Sequence, residues 1–242
     1  MTADLRFADY DALTFDCYGT LIDWESGILA ALAPWRRRAG IEADDESLLA
    51  AFGVAESTIE AAQPTMLYSD LLAEVQRELG RRFDAPATEP EAQAFGQSVK
   101  DWPAFPDSAG ALAYLKRHHK LVILSNVDRA SFAHSARKLG IDFDLVVTAQ
   151  DVGSYKPAPA HFKVGLDRLA AMGVPQPRVL HVAQSLFHDH VPAKQAGLRS
   201  VWINRRSGRG GGATPPAAPV KPDLEVPSMA AFVELHRKQA GG

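Results

Sequence analysis

The feature that most restricts this chain is an alternation, running from about residue 104 to the end, of short apolar runs with amphipathic stretches of helical length. Apolar runs at 121–124, 143–148, 179–182 and 200–203 read as strands, because each is short and bounded by polar or turn-forming residues. Between them the spacing predicts helices over 108–119, 130–139, 161–172 and 191–196, with Gly140, Gly173 and Gly197 as stops. A closing helix is expected over 228–239. Strands that alternate with helices in this way run parallel and are joined by right-handed crossovers, so the fold class is α/β with a doubly wound parallel sheet.

One more strand lies near the start. Ala12-Leu13-Thr14-Phe15 is a mostly apolar run suited to burial on both faces of a sheet, and it is followed at once by Asp16 and then by Gly19, where the chain can turn. Only helical patterns come next. They cover 24–40 (Ile28, Leu29, Leu32 and Trp35 on one face), 47–60 (Asp44, Asp45 or Ser47 as cap), 68–79 (Leu71, Leu72, Val75 and Leu79) and, more weakly, 89–99. Residues 23–102 therefore read as a helical cap domain inserted in an α/β core made of 1–22 and 103–242. Trp102 to Asp107, with two prolines, reads as the connector back to that core. The Gly-, Pro- and Ala-rich stretch 208–222 predicts a mobile surface loop.

Composition excludes several classes of function. A net charge of −3 carries no basic excess, so neither nucleic acid nor an anionic membrane is expected as a partner. No apolar run approaches the ~20 residues that span a bilayer, and the first residues lack an apolar signal region, so a cytoplasmic protein is expected. Cys17 is the single cysteine, has no internal disulfide partner, and reads as a small residue on the buried side of a turn.

Polar residues follow four of the predicted strands: Asp16, Ser125-Asn126, Lys156 beyond Asp151, and the cluster from Gln184 to Asp189. In an open α/β sheet these ends share one edge, where ligands bind. The motif Phe15-Asp16-Cys17-Tyr18-Gly19-Thr20, then Leu124-Ser125-Asn126, Tyr155-Lys156-Pro157, and Asp189 followed by Ala193-x-x-Ala196-Gly197, resembles the four motifs of the haloacid dehalogenase (HAD) superfamily in order and spacing. The resemblance implies an aspartate-nucleophile hydrolase with a helical cap after the first motif.

Within that family, phosphatases carry a second Asp two residues after the nucleophile and an acid four residues before the last Asp; here these positions are Tyr18 and Ser185. The pattern is more similar to the (S)-2-haloacid dehalogenase type II branch, which works without a metal. That resemblance implies no cofactor and a small carboxylic acid as substrate; a homodimer is left open. Asp16 would displace a leaving group at C2 and form an ester, which water then hydrolyses at the Asp16 carboxyl. Lys156, Asp189, Thr20 and Ser125 complete the expected catalytic set. Tyr18, Asn126, Gln184, Ser185, His188 and Trp102 are the expected substrate contacts. Two features depart from the branch: the segment 51–57 has no Arg, and Gln184 starts the last cluster. Gln184 to His190, with the segments around Lys156 and Trp102, resembles L-azetidine-2-carboxylate hydrolase, which opens a strained ring at a C–N bond and carries Glu at the Gln184 position. C–N ring opening is therefore one alternative activity and a Mg²⁺-dependent phosphatase another. His188 and His190 flank Asp189, and structural roles are expected for them ahead of metal binding.

Overall fold

The computed structural model describes residues 5–207, 212–214 and 219–241. Its centre is a six-stranded sheet of β1 (Ala12–Phe15), β2 (Lys120–Ser125), β3 (Leu145–Thr148), β4 (Val179–Ala183), β5 (Arg199–Ile203) and β6 (Leu224–Val226), in the order β3-β2-β1-β4-β5-β6. Every pair is parallel, with Leu13 beside Leu121 on one side and Leu180 on the other. The order reverses at β1, so β1 is central and its C-terminal end opens into the crevice between its two neighbours. β1, β4 and most of β2 are buried along their whole length, as expected for strands covered on both faces.

Between β1 and β2 stand five helices, α1 (Trp24–Ala39), α2 (Asp45–Ala62), α3 (Tyr68–Arg82), α4 (Glu89–Gly96) and α5 (Ser108–Leu115). Asp44 caps α2 by accepting from the Ser47 backbone N–H at 2.7 Å. After β2 come α6 (Arg129–Leu139), α7 (Ala149–Val152), α8 (Ala160–Ala171), α9 (Val191–Gln195) and α10 (Met229–Ala240). Apolar residues of the inserted helices, among them Trp24, Ile28, Phe52 and Leu72, share one continuous core with Leu13 and Phe15 of β1.

Several boundaries differ from the sequence reading for local reasons. Helix α5 stops at Leu115 rather than 119, because His119 turns back and its Nδ1 lies 3.0 Å from the Tyr10 carbonyl. Strand β3 starts at Leu145, not 143, since the Asp144 carboxylate is occupied by the Leu121 N–H and the Lys116 ammonium. Strand β6 was not expected, being three residues at the sheet edge. Of the predicted loop 208–222, residues 208–211 and 215–218 lie outside the described residues. Gly212, Ala213 and Thr214 are not loose surface: the Gly212 and Ala213 N–H groups donate to Glu46 and Glu25, and the Thr214 hydroxyl to Gln184 Oε1. Among the described residues no helix is long and apolar enough to cross a membrane.

Helix α1 reaches the site through one close contact. A Cβ at Gly27 would stand 2.4 Å from the Trp102 ring, which itself packs edge-on against Tyr18 at 5.6 Å. The side chain of alanine has nowhere to go there. Gly27→Ala is therefore expected to cost about 1–3 kcal/mol by overpacking. Chemical denaturation would read the loss; an unchanged midpoint would mean that α1 does not rest on Trp102 as described.

Candidate active site

Asp16 leaves the end of β1 and is buried. Gly19, at a φ of +90°, turns the chain directly after it, and the Thr20 hydroxyl returns to donate to Asp16 Oδ2 at 2.8 Å. Thr20 Oγ1 in turn accepts from the Gln184 N–H at 2.9 Å, which fastens the turn after β1 to the end of β4.

Lys156 comes from the segment between α7 and α8. Its backbone N–H donates to Asn126 Oδ1 at 2.7 Å and its carbonyl accepts from Asn126 Nδ2 at 3.1 Å, so Asn126 clamps the segment from β2. The ammonium donates to Asp16 Oδ1 (3.0 Å), Asp189 Oδ1 (2.6 Å) and the Leu124 carbonyl (2.9 Å). All three proton positions are thus used. Burial alone would discharge this lysine, but Asp16 and Asp189 hold it above the ordinary lysine range. Burial likewise pushes both carboxyls above the ordinary carboxylate range, and Lys156 opposes the rise.

Asp189 sits in a single π-helical turn, Leu186–His190, closed by the Asp189 and His190 N–H groups on the Ser185 carbonyl. The wide turn separates what a sequence reading sees as one cluster. His188 faces the site, with its Nδ1 at 3.2 Å from Ser185 Oγ, and burial lowers it to about 3. His190 faces the sheet, between Ser200 Oγ and the Ala183 carbonyl, so His-x-His makes no chelate. Asp189 Oδ2 is buried with no hydrogen-bond partner.

A cavity at the strand ends is lined by Asp16, Tyr18, Asn126, Lys156, His188 and Asp189, together with Trp24, Glu56, Glu60, Tyr68, Val127, Ser185 and Thr214. It leaves about 40 Å³ of room for water centres, enough for about three waters.

Three expected residues stand elsewhere. The Ser125 hydroxyl is buried and makes no hydrogen bond, because Thr20 already serves Asp16 from the other side. The Gln184 side chain is not itself in the cavity lining but accepts from the Thr214 hydroxyl, which is, and its carbonyl accepts from the Trp202 indole. Trp102 stands behind the wall, donating to Ser98 Oγ and bracing Tyr18 and Tyr68. Tyr18 does line the cavity, but its hydroxyl is engaged with Ser135. Cys17 is buried, and burial raises its thiol well above the ordinary range, which fits the structural role expected for it.

Other members were missed. His181, within β4, has Nε2 3.3 Å from Asp189 Oδ1 and Nδ1 2.9 Å from the Thr14 hydroxyl, and burial keeps it neutral, lowered to about 3. Its apolar neighbours hid it. Glu56 and Glu60, four residues apart on the inner face of α2, bring two carboxyls into the cavity. A helical wheel would have found them beside Phe52 and Leu48.

With this geometry in place, comparison with known proteins decides the family. Residues 10–197 match the model of the haloacid dehalogenase-like hydrolases. The chain belongs to that family. The fold of the L-2-haloacid dehalogenase of Xanthobacter autotrophicus superposes at a TM-score of 0.74, with 21% identity over 94% of this chain and 98% of that one. A magnesium-bound HAD-hydrolase of Bacillus subtilis, YfnB, superposes equally well at 0.74, with 17% identity over 94% and 99%. Phosphoserine phosphatase of Thermus thermophilus is 29% identical over 140 residues, 56% of this chain and 52% of that protein. The chain thus spans about half the length of this curated relative. The fold alone does not separate the dehalogenase from the magnesium-bound relative, so the side chains at the strand ends must.

The donor set fits Mg²⁺ poorly. That ion needs several oxygens in octahedral array, and here the facing oxygens of Asp16 and Asp189 are both taken by the Lys156 ammonium. Position 185 offers a hydroxyl that caps the π-helical turn, and no group of three or more His, Cys, Asp or Glu among the described residues is arranged to hold a metal.

Removing the ammonium would leave two carboxylates buried together. Lys156→Met is expected to cost about 3–5 kcal/mol. Without the cation both carboxyl pKa values rise further above their unfolded values, so the deficit shrinks as pH falls and grows as pH rises. Urea denaturation at about pH 5 and about pH 8 checks this. An equal deficit at both would mean that the lysine does not neutralise the pair.

Proposed function

We propose that this hydrolase acts without a metal, displacing a leaving group at C2 of a small carboxylic acid through an ester on Asp16. The observation that carries the reading is that Tyr18 and Ser185 stand where a phosphatase of the family carries acids, with their hydroxyls engaged by Ser135 and the π-helical turn. In the reaction, an Asp16 oxygen bonds to C2 while the leaving group departs with the bonding electrons. Lys156 keeps Asp16 ionised for the attack, and Thr20 fixes the other oxygen. Water then adds to the Asp16 carboxyl carbon. Asp189, which lines the cavity and whose Oδ2 has no hydrogen-bond partner, orients that water, takes its proton and returns it to the departing alkoxide. Lys156 stabilises the oxyanion, the carbonyl re-forms, and the 2-hydroxy acid leaves. Asn126 holds the Lys156 segment in register and presents its amide to the cavity.

In this reading residues 23–102 act as a cap over the strand ends. The leaving group is a halide, as in the dehalogenases, or a ring nitrogen. A second reading, a Mg²⁺-dependent phosphatase, draws on the 29% identical phosphoserine phosphatase. Turnover of (S)-2-chloropropionate and L-azetidine-2-carboxylate with and without EDTA separates the two. The expectation is activity on at least one that EDTA leaves intact and that Asp16→Asn lowers about a thousandfold or more. Hydrolysis of p-nitrophenyl phosphate that disappears with EDTA, with both carboxylic acids inert, would overturn the proposal.

A further inference from the structure

The cavity beside Asp16 has a wall that the ester chemistry leaves unused. Helix α2 places Glu56 and Glu60 one turn apart on its inner face, and both are buried, at 3% and 6% exposure. Glu56 Oε1 accepts from the Tyr68 hydroxyl at 2.7 Å, and Glu60 Oε1 from Asn126 Nδ2 at 3.1 Å. Neither has a cation in contact. The nearest basic group, His188 Nε2, is 3.8 Å from Glu60 Oε2 and makes no hydrogen bond, on a residue only 8% exposed. Asp189 lines the same space, and its Oδ2 is buried without a hydrogen-bond partner. Lys156 is the one full cation among the described lining residues, and its three protons are already assigned.

Acids thus outnumber cations inside a small buried space, and an unpaired buried carboxyl is costly. Burial raises Glu56 to about 7, and burial with Glu56 beside it pushes Glu60 well above the ordinary range. A departing anion would be driven against these groups; a positively charged nitrogen would satisfy them. No Arg reaches the cavity from segment 51–57 to favour an anion instead.

We propose that Glu56 and Glu60 determine specificity by binding a cationic nitrogen of the substrate, with His188 Nε2 as a third acceptor. The acid that this site takes is then an amino or imino acid. The inference rests on the Asp16 reading for orientation, since C2 must face Asp16 while the nitrogen faces α2. Where that nitrogen is also the leaving group, Asp16 bonds to C2 and the C2–N electrons stay on the nitrogen, which departs as a neutral amine. The water that hydrolyses the ester supplies the oxygen left on Asp16 and the proton that the amine takes up, so no other reactant is needed.

Calorimetry on the full-length Asp16→Asn chain compares L-azetidine-2-carboxylate with cyclobutanecarboxylate, its carbocyclic analogue without nitrogen. The nitrogen compound is expected to bind about tenfold tighter or more at about pH 8. Adding Glu56→Gln and Glu60→Gln, which keep the side-chain shape, is expected to bring the two ligands within about twofold of each other. Equal binding in the parent, or binding of neither, overturns the inference without recourse to any variant. A preference that survives both glutamines, in a protein whose melt is unchanged, overturns it as well. If the preference is found but no substrate esterifies Asp16, the specificity assignment stands and the ester chemistry falls.

Discussion

A single buried ammonium holds this site together. Lys156 is almost wholly buried, and its charge is held by Asp16 and Asp189 on either side, with the Leu124 carbonyl taking its third proton. Those partners come from β1, from the turn after β4, and from β2, which are neighbours only because the strand order reverses at β1. The sheet topology and the charge arrangement therefore support each other. Asn126 adds a second lock on the Lys156 backbone, and the chain from Thr14 through His181 reaches Asp189 from below.

The same arrangement bears on chemistry. Two carboxylates at adjoining strand ends invite a cation, and here the Lys156 ammonium lies between them. Superposition does not choose, since a dehalogenase and a magnesium-bound relative fit this fold to the same TM-score. What differs here is local. Tyr18 and Ser185 contribute no carboxylate, and their hydroxyls are engaged with Ser135 and the π-helical turn. The lysine lies between the acids, and its charge opposes the rise that burial imposes on the Asp16 carboxyl.

Much of this was legible in the residues. The alternation of strands and helices, the helical insertion and the polar strand ends all follow from periodicity, and Asp16, Lys156, Asp189, Asn126, Ser185 and His188 do gather at one cavity. Motif position, however, locates a Cα and not the direction of a side chain. Ser125 and Trp102 sit near the site in sequence terms yet do not line the cavity, Trp102 donating to Ser98 instead, and Gln184 reaches the lining only through Thr214. His181 was concealed within an apolar strand. Glu56 lies in the segment 51–57 that lacks an Arg and Glu60 one turn beyond it, two acids on the buried face of α2.

Isotope labelling tests the central claim most directly. A single turnover in H₂¹⁸O, with enzyme in excess over an active carboxylic acid, should place ¹⁸O in the peptide that carries Asp16 and leave the new hydroxyl of the product unlabelled, because water attacks the Asp16 carboxyl carbon. Label in the product hydroxyl, with none at Asp16, would show that water attacks C2 itself and would contradict the account.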